Sequence, residues 1–233
     1  MAEPKRPLAM FAGRLSPAKV AEGINAAERN AERLAQDARF LFEGKRFPSA
    51  AALAILAIEE AGKASVLRGM SVTKTDDEVK KTWKEFRSHT RKNVHWILRE
   101  MVQRGARKLD DFGPMFDPNS DHPYVLDQIK QLSFYTDCVG KGKWAEPGKV
   151  IKEELAQSFI EIAEQLASEH FVTTEEIELW IKHMGPVQKS SPAWFKKAFE
   201  NYYAELQAKG LAPPGENVAT QLIEGRIDPE SGR

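Results

Sequence analysis

The chain has 233 residues, and its 34 basic and 34 acidic side chains leave no net charge. A hydrophobic content of 42% and a charged content of 29% are typical of a soluble globular protein and exclude a disordered or fibrous one. The zero net charge also excludes a global attraction to nucleic acid or to an acidic membrane, so any such contact needs a local patch.

The cysteine content and the apolar segments indicate an intracellular protein. The single cysteine, Cys138, excludes an intramolecular disulfide and a zinc site built from cysteines. The first residues lack the continuous apolar segment of a signal peptide. The longest apolar run, from Ala50 to Ile58, is too short to span a bilayer. We therefore expect a cytoplasmic protein with no membrane partner.

A long first helix is predicted from its start signal and its apolar spacing. Ser16 followed by Pro17 is typical of a helix start, because serine caps the first turn and proline fits it. The helix is expected to end near Glu43 and Gly44. Its apolar positions recur at helical spacing and are Ile24, Ala27, Ala31, Leu34, Ala38 and Leu41.

The second predicted helix, from about Pro48 to Gly69, is apolar nearly all round. Such a helix is expected to be buried on every side. Gly62 in its interior costs about 1 kcal/mol relative to alanine, and the close approach of another backbone would explain its presence.

A capping box formed by Thr75 and Glu78 predicts the start of a third helix. This helix is expected to continue to about Arg104. Its core-facing stripe is predicted to consist of Val79, Trp83, Phe86, Thr90, Val94, Ile97 and Met101.

The rest of the chain is predicted to alternate helices with turn-rich segments, and no strand is predicted. The expected segments are a polar connector (105–122), a fourth helix (124–139), a turn-rich stretch (140–147), a fifth helix (149–170), a short helix opened by a capping box at Thr173, a last long helix (191–209) and a short helix near 218–224.

The predicted fold is all-α, a bundle of the first four helices followed by a C-terminal helical extension. We divide the chain into an N-terminal arm (1–15), a helical bundle (16–148), the extension (149–210) and a mobile tail (211–233).

The third predicted helix carries residues that are suited to RNA cleavage. Arg87, Arg91 and His95 are each four positions apart and share one stripe, and His89 and Lys92 lie on a second stripe. Histidine moves protons near neutral pH, and arginine holds phosphate. Arginine and histidine on a helix flank are more often solvated surface, and this alternative remains open.

Charged residues in the middle of the apolar second helix are the next candidates. Glu59 and Lys63 have the favourable spacing for an ion pair, and Glu60 is placed to meet a basic residue of the third helix. The group is either a buried bridge that sets helix register or a set that orients a functional residue.

Motifs for metals, nucleotides and covalent catalysis are not found. A di-iron bundle needs Glu-x-x-His repeats, and the interval from Glu85 to His89 is one residue too long. No glycine-rich phosphate loop follows a strand, and Cys138 has no motif of a nucleophile. We expect neither a metal nor a cofactor.

Local clusters of basic residues near Trp83 and Trp96, on the third helix and in the connector after it, are one candidate for an RNA-facing surface. The alternative is a solvated helix face, because acidic residues are interspersed. The basic residues concerned are Lys80, Lys81, Lys84, Arg87, Arg91, Lys92, Arg104, Arg107 and Lys108.

Three segments resemble the AbiV family of the HEPN superfamily. They are LFEGKRFPSAAALAILAIEEAGKA (41–64), FRSHTRKN (86–93) and QLSFYTDCVGKGKWAEP (131–147). The resemblance implies a helical HEPN bundle, a homodimer and a role in bacterial abortive infection against phage.

The resemblance also implies candidate site residues. Many HEPN proteins are metal-independent RNases in which an arginine and a histidine of one helix meet their symmetry mates at a dimer cleft. The nearest match runs from Arg91 through Asn93 to His95, and its Arg–His interval is shorter than the family's usual one. The segments most similar to AbiV point to a polar cluster of Glu59, Glu60, Lys63, His89, Lys92, Tyr135 and Asp137.

Two hypotheses for function follow. The first is an antiphage effector that impairs RNA or translation by RNA cleavage, with His95 or His89 as acid/base and Arg91 or Arg87 holding phosphate. Glu60 and Lys63 would orient them, and the expected partners are RNA, a second copy and a phage-encoded protein activator. The second is a non-enzymatic helical module that inhibits a phage or host protein by occupancy, which the short Arg–His interval favours.

Overall fold

The computed structural model describes residues 9–117, 119–167 and 170–226, and the all-α prediction is confirmed. The α-helices are α1 (Pro17–Glu43), α2 (Phe47–Ser71), α3 (Asp76–Arg87), α4 (His89–Lys92), α5 (Leu98–Gln103), α6 (His122–Phe134), α7 (Pro147–Val150), α8 (Glu153–Leu166), α9 (Thr174–Met184), α10 (Pro192–Ala208) and α11 (Val218–Glu224). Val94–Ile97 and Leu109–Phe116 are 3-10 helices, and strands β1 (Asp137–Val139) and β2 (Lys143–Ala145) form an antiparallel hairpin.

Helix α2 is the centre of the bundle, as its apolar character predicts. It packs against α1 along its length and also against α8, α6 and α3. Ile55 and Ile58 have no exposed surface, and the small side chains from Ala50 to Ala54 let α1 approach closely. The first core therefore combines α1, the first half of α2, α6 and α8.

A second core lies at the other end of α1 and α2 and joins α3 and α9 to them. Asn25 of α1 fixes the chain that leads into α9, because its side-chain amide donates to the Val172 carbonyl and its oxygen accepts from the Val172 N–H, both at 2.8 Å. Helix α10 packs on α9 through a smaller apolar cluster of Leu179, Tyr202 and Leu206.

The prediction of one continuous third helix to Arg104 is wrong. Helix α3 ends at Arg87, and Ser88 has an extended backbone before the single turn of α4 begins. The physical reason is tertiary, because the chain at Lys92 and Asn93 turns inward and both residues are buried between α2 and α6. A straight helix would have carried these residues past the bundle.

Two other helix predictions need correction. The fourth helix ends at Phe134 instead of Val139, and the chain then forms the β1–β2 hairpin, so the expectation of no strand is wrong. Gly140 and Gly142 adopt left-handed backbone angles that suit its tight turn. The fifth helix is interrupted at Ile151, which leaves the helical conformation and is buried in the first core.

The predicted domain boundaries stay predictions. Helix α8, which follows the boundary at 148, packs in the same core as α1 and α2. Residues 9–15 of the predicted arm lie against α3, where the Gly13 carbonyl accepts from the Trp83 indole. Residues 1–8 of that arm and 227–233 of the predicted tail are outside the described residues.

The close approach that Gly62 was expected to permit is found. A Cβ atom at Gly62 would lie 1.6 Å from the Lys92 carbonyl oxygen, whereas a Cβ atom at Gly69 would meet nothing within 4 Å. Gly62 is therefore the point at which α2 receives the inward turn of the chain after α4.

We predict that Gly62→Ala lowers the free energy of unfolding by about 3 kcal/mol or more, because the Lys92 backbone has to move. The matched control, Gly69→Ala on the same helix, is expected to be neutral or to stabilise by up to about 1 kcal/mol. Urea unfolding of both variants measures the difference. Equal stabilities of the two variants would contradict this account.

Candidate functional site

Three helices bring charged side chains together in the interior of the bundle. Helix α2 contributes Glu59, α4 contributes His89 and Lys92, and α6 contributes Asp127 and Lys130. The Glu59 side chain is 3% exposed and that of Lys130 is 5% exposed. Charges at this depth need partners to offset their lost hydration, and here each lies near an opposite charge.

The Glu59 carboxylate is the hub of this cluster. One of its oxygens is 2.7 Å from His89 Nδ1, and the other is 2.5 Å from Lys130 Nζ. Lys92 Nζ lies at 3.9 Å from the first oxygen, and Lys130 Nζ also lies 2.7 Å from an Asp127 carboxylate oxygen. We call these five residues the Glu59 cluster.

His89 is the member of the Glu59 cluster that reaches solvent. Its side chain is 58% exposed, although the carboxylate that holds it is buried. A carboxylate accepts hydrogen bonds, so Nδ1 carries the hydrogen and Nε2 keeps a lone pair. A histidine held in this way has its second ring nitrogen available to accept a proton.

Lys92 and Asn93 are the buried residues that hold the end of α4 in place. Burial lowers the pKa of Lys92, and the nearby Glu59 carboxylate opposes this effect. The Asn93 side-chain amide donates to the Pro123 carbonyl at 2.9 Å, which ties the end of α4 to the start of α6. The single turn of α4 is thus held from two sides.

The ion pair of Lys63 differs from the one that the spacing favoured. Lys63 Nζ is 2.5 Å from the Glu60 carboxylate, and Glu59 turns toward α4 and α6 instead. Lys63 Nζ also lies 5.2 Å from the centroid of the Phe86 ring, a cation–π contact. Glu60 and Lys63 therefore form a half-buried pair beside α3.

The arginines that were predicted to hold phosphate have different surroundings. Arg87 donates a hydrogen bond to the Phe11 carbonyl, and its guanidinium lies 4.9 Å from the Trp83 ring centroid. Arg91 is exposed and forms no hydrogen bond or ion pair with any described residue. It lines an open cavity of about 490 Å³ whose wall includes Phe116.

His95 lies in a less polar environment than His89. Its ring packs edge-on against Phe116 with centroids 5.7 Å apart, and burial lowers its pKa below the ordinary 6.5. Because the helix is interrupted after Arg87, the predicted stripe of Arg87, Arg91 and His95 is not formed on one helix.

Tyr135 and Asp137 lie outside the Glu59 cluster. Tyr135 is 63% exposed and contacts the Phe134 ring. An Asp137 carboxylate oxygen accepts from the Cys138 N–H at 2.7 Å, on the first strand of the hairpin. Neither side chain forms a hydrogen bond or ion pair with the Glu59 cluster among the described residues.

Glu59, His89 and Asp127 are of the residue types that bind divalent metals, and their ligand atoms lie within 4.8 Å of one another. The Lys130 ammonium, however, contacts both carboxylates and takes the position of a cation between them. A metal bound by these three residues would have to displace Lys130. The geometry therefore favours an ion-pair network over a metal centre.

Lys130 and Asp127 are members of the Glu59 cluster that the sequence-based predictions do not include. A detectable signal exists, because Lys130 is four residues after the fully buried Leu126 and so lies on the core-facing side of α6. Glu59 likewise lies among buried apolar residues, on α2.

Comparisons with known proteins support the resemblance that the three sequence segments carried. Residues 19–168 match the family model HEPN_AbiV, which is described as AbiV. This range contains the whole Glu59 cluster. No curated protein and no solved structure matches the chain. Among the described residues, no helix has both the length and the apolar character that crossing a membrane requires.

We predict that Lys130→Met lowers the free energy of unfolding by about 3–5 kcal/mol, because it leaves a buried carboxylate without its closest cation. The matched variant Lys63→Met removes the same group from a more exposed pair and is expected to cost about 1 kcal/mol or less. Chemical denaturation of the two variants provides the test, and a larger cost at Lys63 would contradict the ranking.

A second prediction concerns pH and His95. Burial places the pKa of His95 in the folded state below the ordinary 6.5 that it has in the unfolded chain. Between the folded-state pKa and 6.5 the unfolded chain therefore binds more protons than the folded one, and the free energy of unfolding falls as the pH falls. His95→Gln is expected to lose less stability than the wild type between about pH 7.5 and about pH 5.5. His122, whose pKa burial also lowers, retains its share in both proteins.

Urea unfolding of the wild type and His95→Gln at both pH values measures this difference. Circular dichroism at the higher pH serves as the control for equal folding. Parallel pH dependences in the two proteins would show that His95 is not responsible.

Proposed function

The chain belongs to the AbiV family of HEPN-type abortive-infection proteins, whose model covers more than half of its residues, and from this premise we propose that it cleaves RNA during phage infection. The observation that carries the proposal is the contact of 2.7 Å between exposed His89 and buried Glu59. A carboxylate behind an imidazole is the usual arrangement of a histidine that transfers protons.

In the proposed reaction His89 Nε2 removes the proton from a ribose 2′-hydroxyl. The 2′ oxygen then forms a bond to the adjacent phosphorus, and the bond from phosphorus to the 5′ oxygen of the next nucleotide breaks. That leaving oxygen takes a proton from water, and the hydroxide left behind takes the proton from the His89 imidazolium, which restores the neutral ring. The products are a 2′,3′-cyclic phosphate and a free 5′-hydroxyl, and the nucleophile comes from the RNA itself, so no metal is needed.

The remaining residues of the Glu59 cluster have supporting roles in this proposal. Glu59 keeps the imidazole in one orientation and stabilises the positive charge that the ring acquires. Lys130 and Lys92 offset the cost of burying that carboxylate. His89 is favoured over His95 as the acid/base because His95 is half-buried and packs against an apolar ring.

Arg91 is the favoured phosphate holder, since its guanidinium has no partner among the described residues. It is two positions after His89 on α4, so the two side chains project to different sides of the helix, about 200° apart. We expect the arginine at each His89 to come from a second copy of the chain in a homodimer, as the family resemblance implies.

A non-enzymatic function is the second candidate, and one observation favours it. Because of the interruption after Arg87, no long continuous helix within the described ranges carries both an arginine and a histidine. In this alternative the protein would inhibit a phage or host protein by binding it, and infection would leave RNA intact.

We predict that His89→Ala lowers the rate of RNA cleavage by about 10²- to 10⁴-fold, because the proton-transfer group is lost. The control, His95→Ala, is expected to keep most of the activity. Cleavage is measured with purified protein in the presence of a chelator, and RNA integrity is measured in infected cells at equal protein abundance.

The outcomes of this experiment separate the two candidates. If cells that carry His89→Ala resist phage infection as well as cells that carry the wild type, His89 is not the acid/base. If the wild type protects while all RNA stays intact, the nuclease proposal fails and the binding function is favoured.

A further inference from the structure

Three aromatic side chains at the end of α6 and in the hairpin are exposed. Phe134, Tyr135 and Trp144 are 47%, 63% and 70% exposed, and the Phe134 and Tyr135 ring centroids are 6.0 Å apart. We call residues 134–145 the aromatic hairpin. Tyrosine and tryptophan are enriched at surfaces that contact a partner.

The aromatic hairpin begins one helical turn from the Glu59 cluster. Asp127, Lys130 and Phe134 follow one another at three and four residues along α6 and so share a helix face. Lys130 contacts Glu59, and Phe134 lies about 6 Å further along the axis. A ligand at exposed His89 would therefore have the aromatic hairpin nearby.

The strand register directs Trp144 outward. Trp144 is opposite Cys138, and Ala145 is opposite Asp137. Ala145 is buried, and successive side chains of a strand point to opposite faces, so Trp144 faces solvent. The ring is thus presented to solvent on a short, tight hairpin.

The charge of the aromatic hairpin favours an anionic partner. Lys141 and Lys143 are exposed, and neither forms a hydrogen bond or ion pair with any described residue. The one acidic residue among positions 134–145 is Asp137, and its carboxylate already accepts from the Cys138 N–H. Two unpaired ammonium groups therefore lie on the same hairpin as the exposed rings, Lys141 in its turn and Lys143 next to Trp144 in the chain.

We propose that the aromatic hairpin is a platform for single-stranded RNA, with unpaired bases stacked on Trp144 and Tyr135 and phosphates held by Lys141 and Lys143. Aromatic rings beside unpaired cations are the combination that binds single strands with little sequence preference. This assignment names the substrate-binding surface and rests on the proposed RNA cleavage.

A second copy of the chain is a less favourable occupant of this surface. A two-fold interface places the same patch on both sides, so the unpaired lysines of one copy would face those of the other. Like charges brought together in this way oppose association. RNA, in contrast, supplies phosphates to the lysines and bases to the rings.

The test measures binding of a fluorescein-labelled single-stranded RNA of about 12 nucleotides by anisotropy. The parent is the full chain carrying His89→Ala, which keeps the RNA uncut. Trp144→Ala in this background is expected to raise the Kd roughly 5- to 150-fold, because the stacking of one base on the indole ring is lost. Lys141→Ala combined with Lys143→Ala is expected to reduce the slope of log Kd against log salt.

Trp194→Ala is the matched control, since Trp194 is 66% exposed on a different part of the chain. It is expected to bind RNA like the parent. A duplex of the same sequence is expected to bind more weakly and to be insensitive to Trp144→Ala, because its bases are already stacked.

Equal binding by the parent and Trp144→Ala, or no RNA binding by the parent, overturns the proposal. Loss of dimer in Trp144→Ala with unchanged RNA binding also overturns it and assigns the surface to a second copy. Because binding is measured in an uncut background, this result is independent of whether His89 cleaves RNA.

Discussion

The buried carboxylate of Glu59 is the interaction on which this part of the structure depends. It receives His89 from α4 and Lys130 from α6, at 2.7 and 2.5 Å, while its own helix is the centre of both apolar cores. A buried charge without partners costs several kcal/mol, so an arrangement of the helices that separated Glu59 from its cations would be penalised. The carboxylate thereby links the packing of the bundle to the orientation of an exposed histidine.

Gly62 makes that arrangement sterically possible. It lies three residues after Glu59, and the Lys92 carbonyl occupies the volume that a Cβ atom would need. The chain leaves the helical backbone at Ser88, and His89, the next residue, contacts the Glu59 carboxylate before the chain turns inward at Lys92. The interruption of the third predicted helix is therefore part of how the site is assembled.

The exposed cations of this chain suit the polyanionic substrate of the proposed reaction. Arg91 and the lysines of the aromatic hairpin are cations without partners among the described residues, in a chain whose total charge is zero. A protein with no net charge attracts polyanions weakly as a whole, so their attraction is strongest at its local patches of positive charge. In the proposed mechanism, His89, which is held by a buried carboxylate, transfers the proton, and exposed side chains contact the substrate.

Much of the fold follows from local sequence signals. Proline in the first turn, capping boxes and apolar periodicity predict α1, α2, α9 and α10 closely, because each signal acts within a few residues. The charge of Glu59 within an apolar helix also marked it as a site residue before any partner was known. The three segments similar to AbiV identified the family for the same reason, since they are contiguous in the chain.

The partners of Glu59 were decided by tertiary structure. His89 and Lys130 are 30 and 71 positions away from it, and no periodicity within one helix encodes such a meeting. The break after Arg87 was hidden as well, because the apolar stripe continues in sequence while the backbone turns toward Gly62. Sequence by itself determined the longer helices α1, α2, α9 and α10, the family and the presence of a charge in an apolar helix. Only tertiary packing decided which histidine it holds, since that choice depends on how closely two backbones approach.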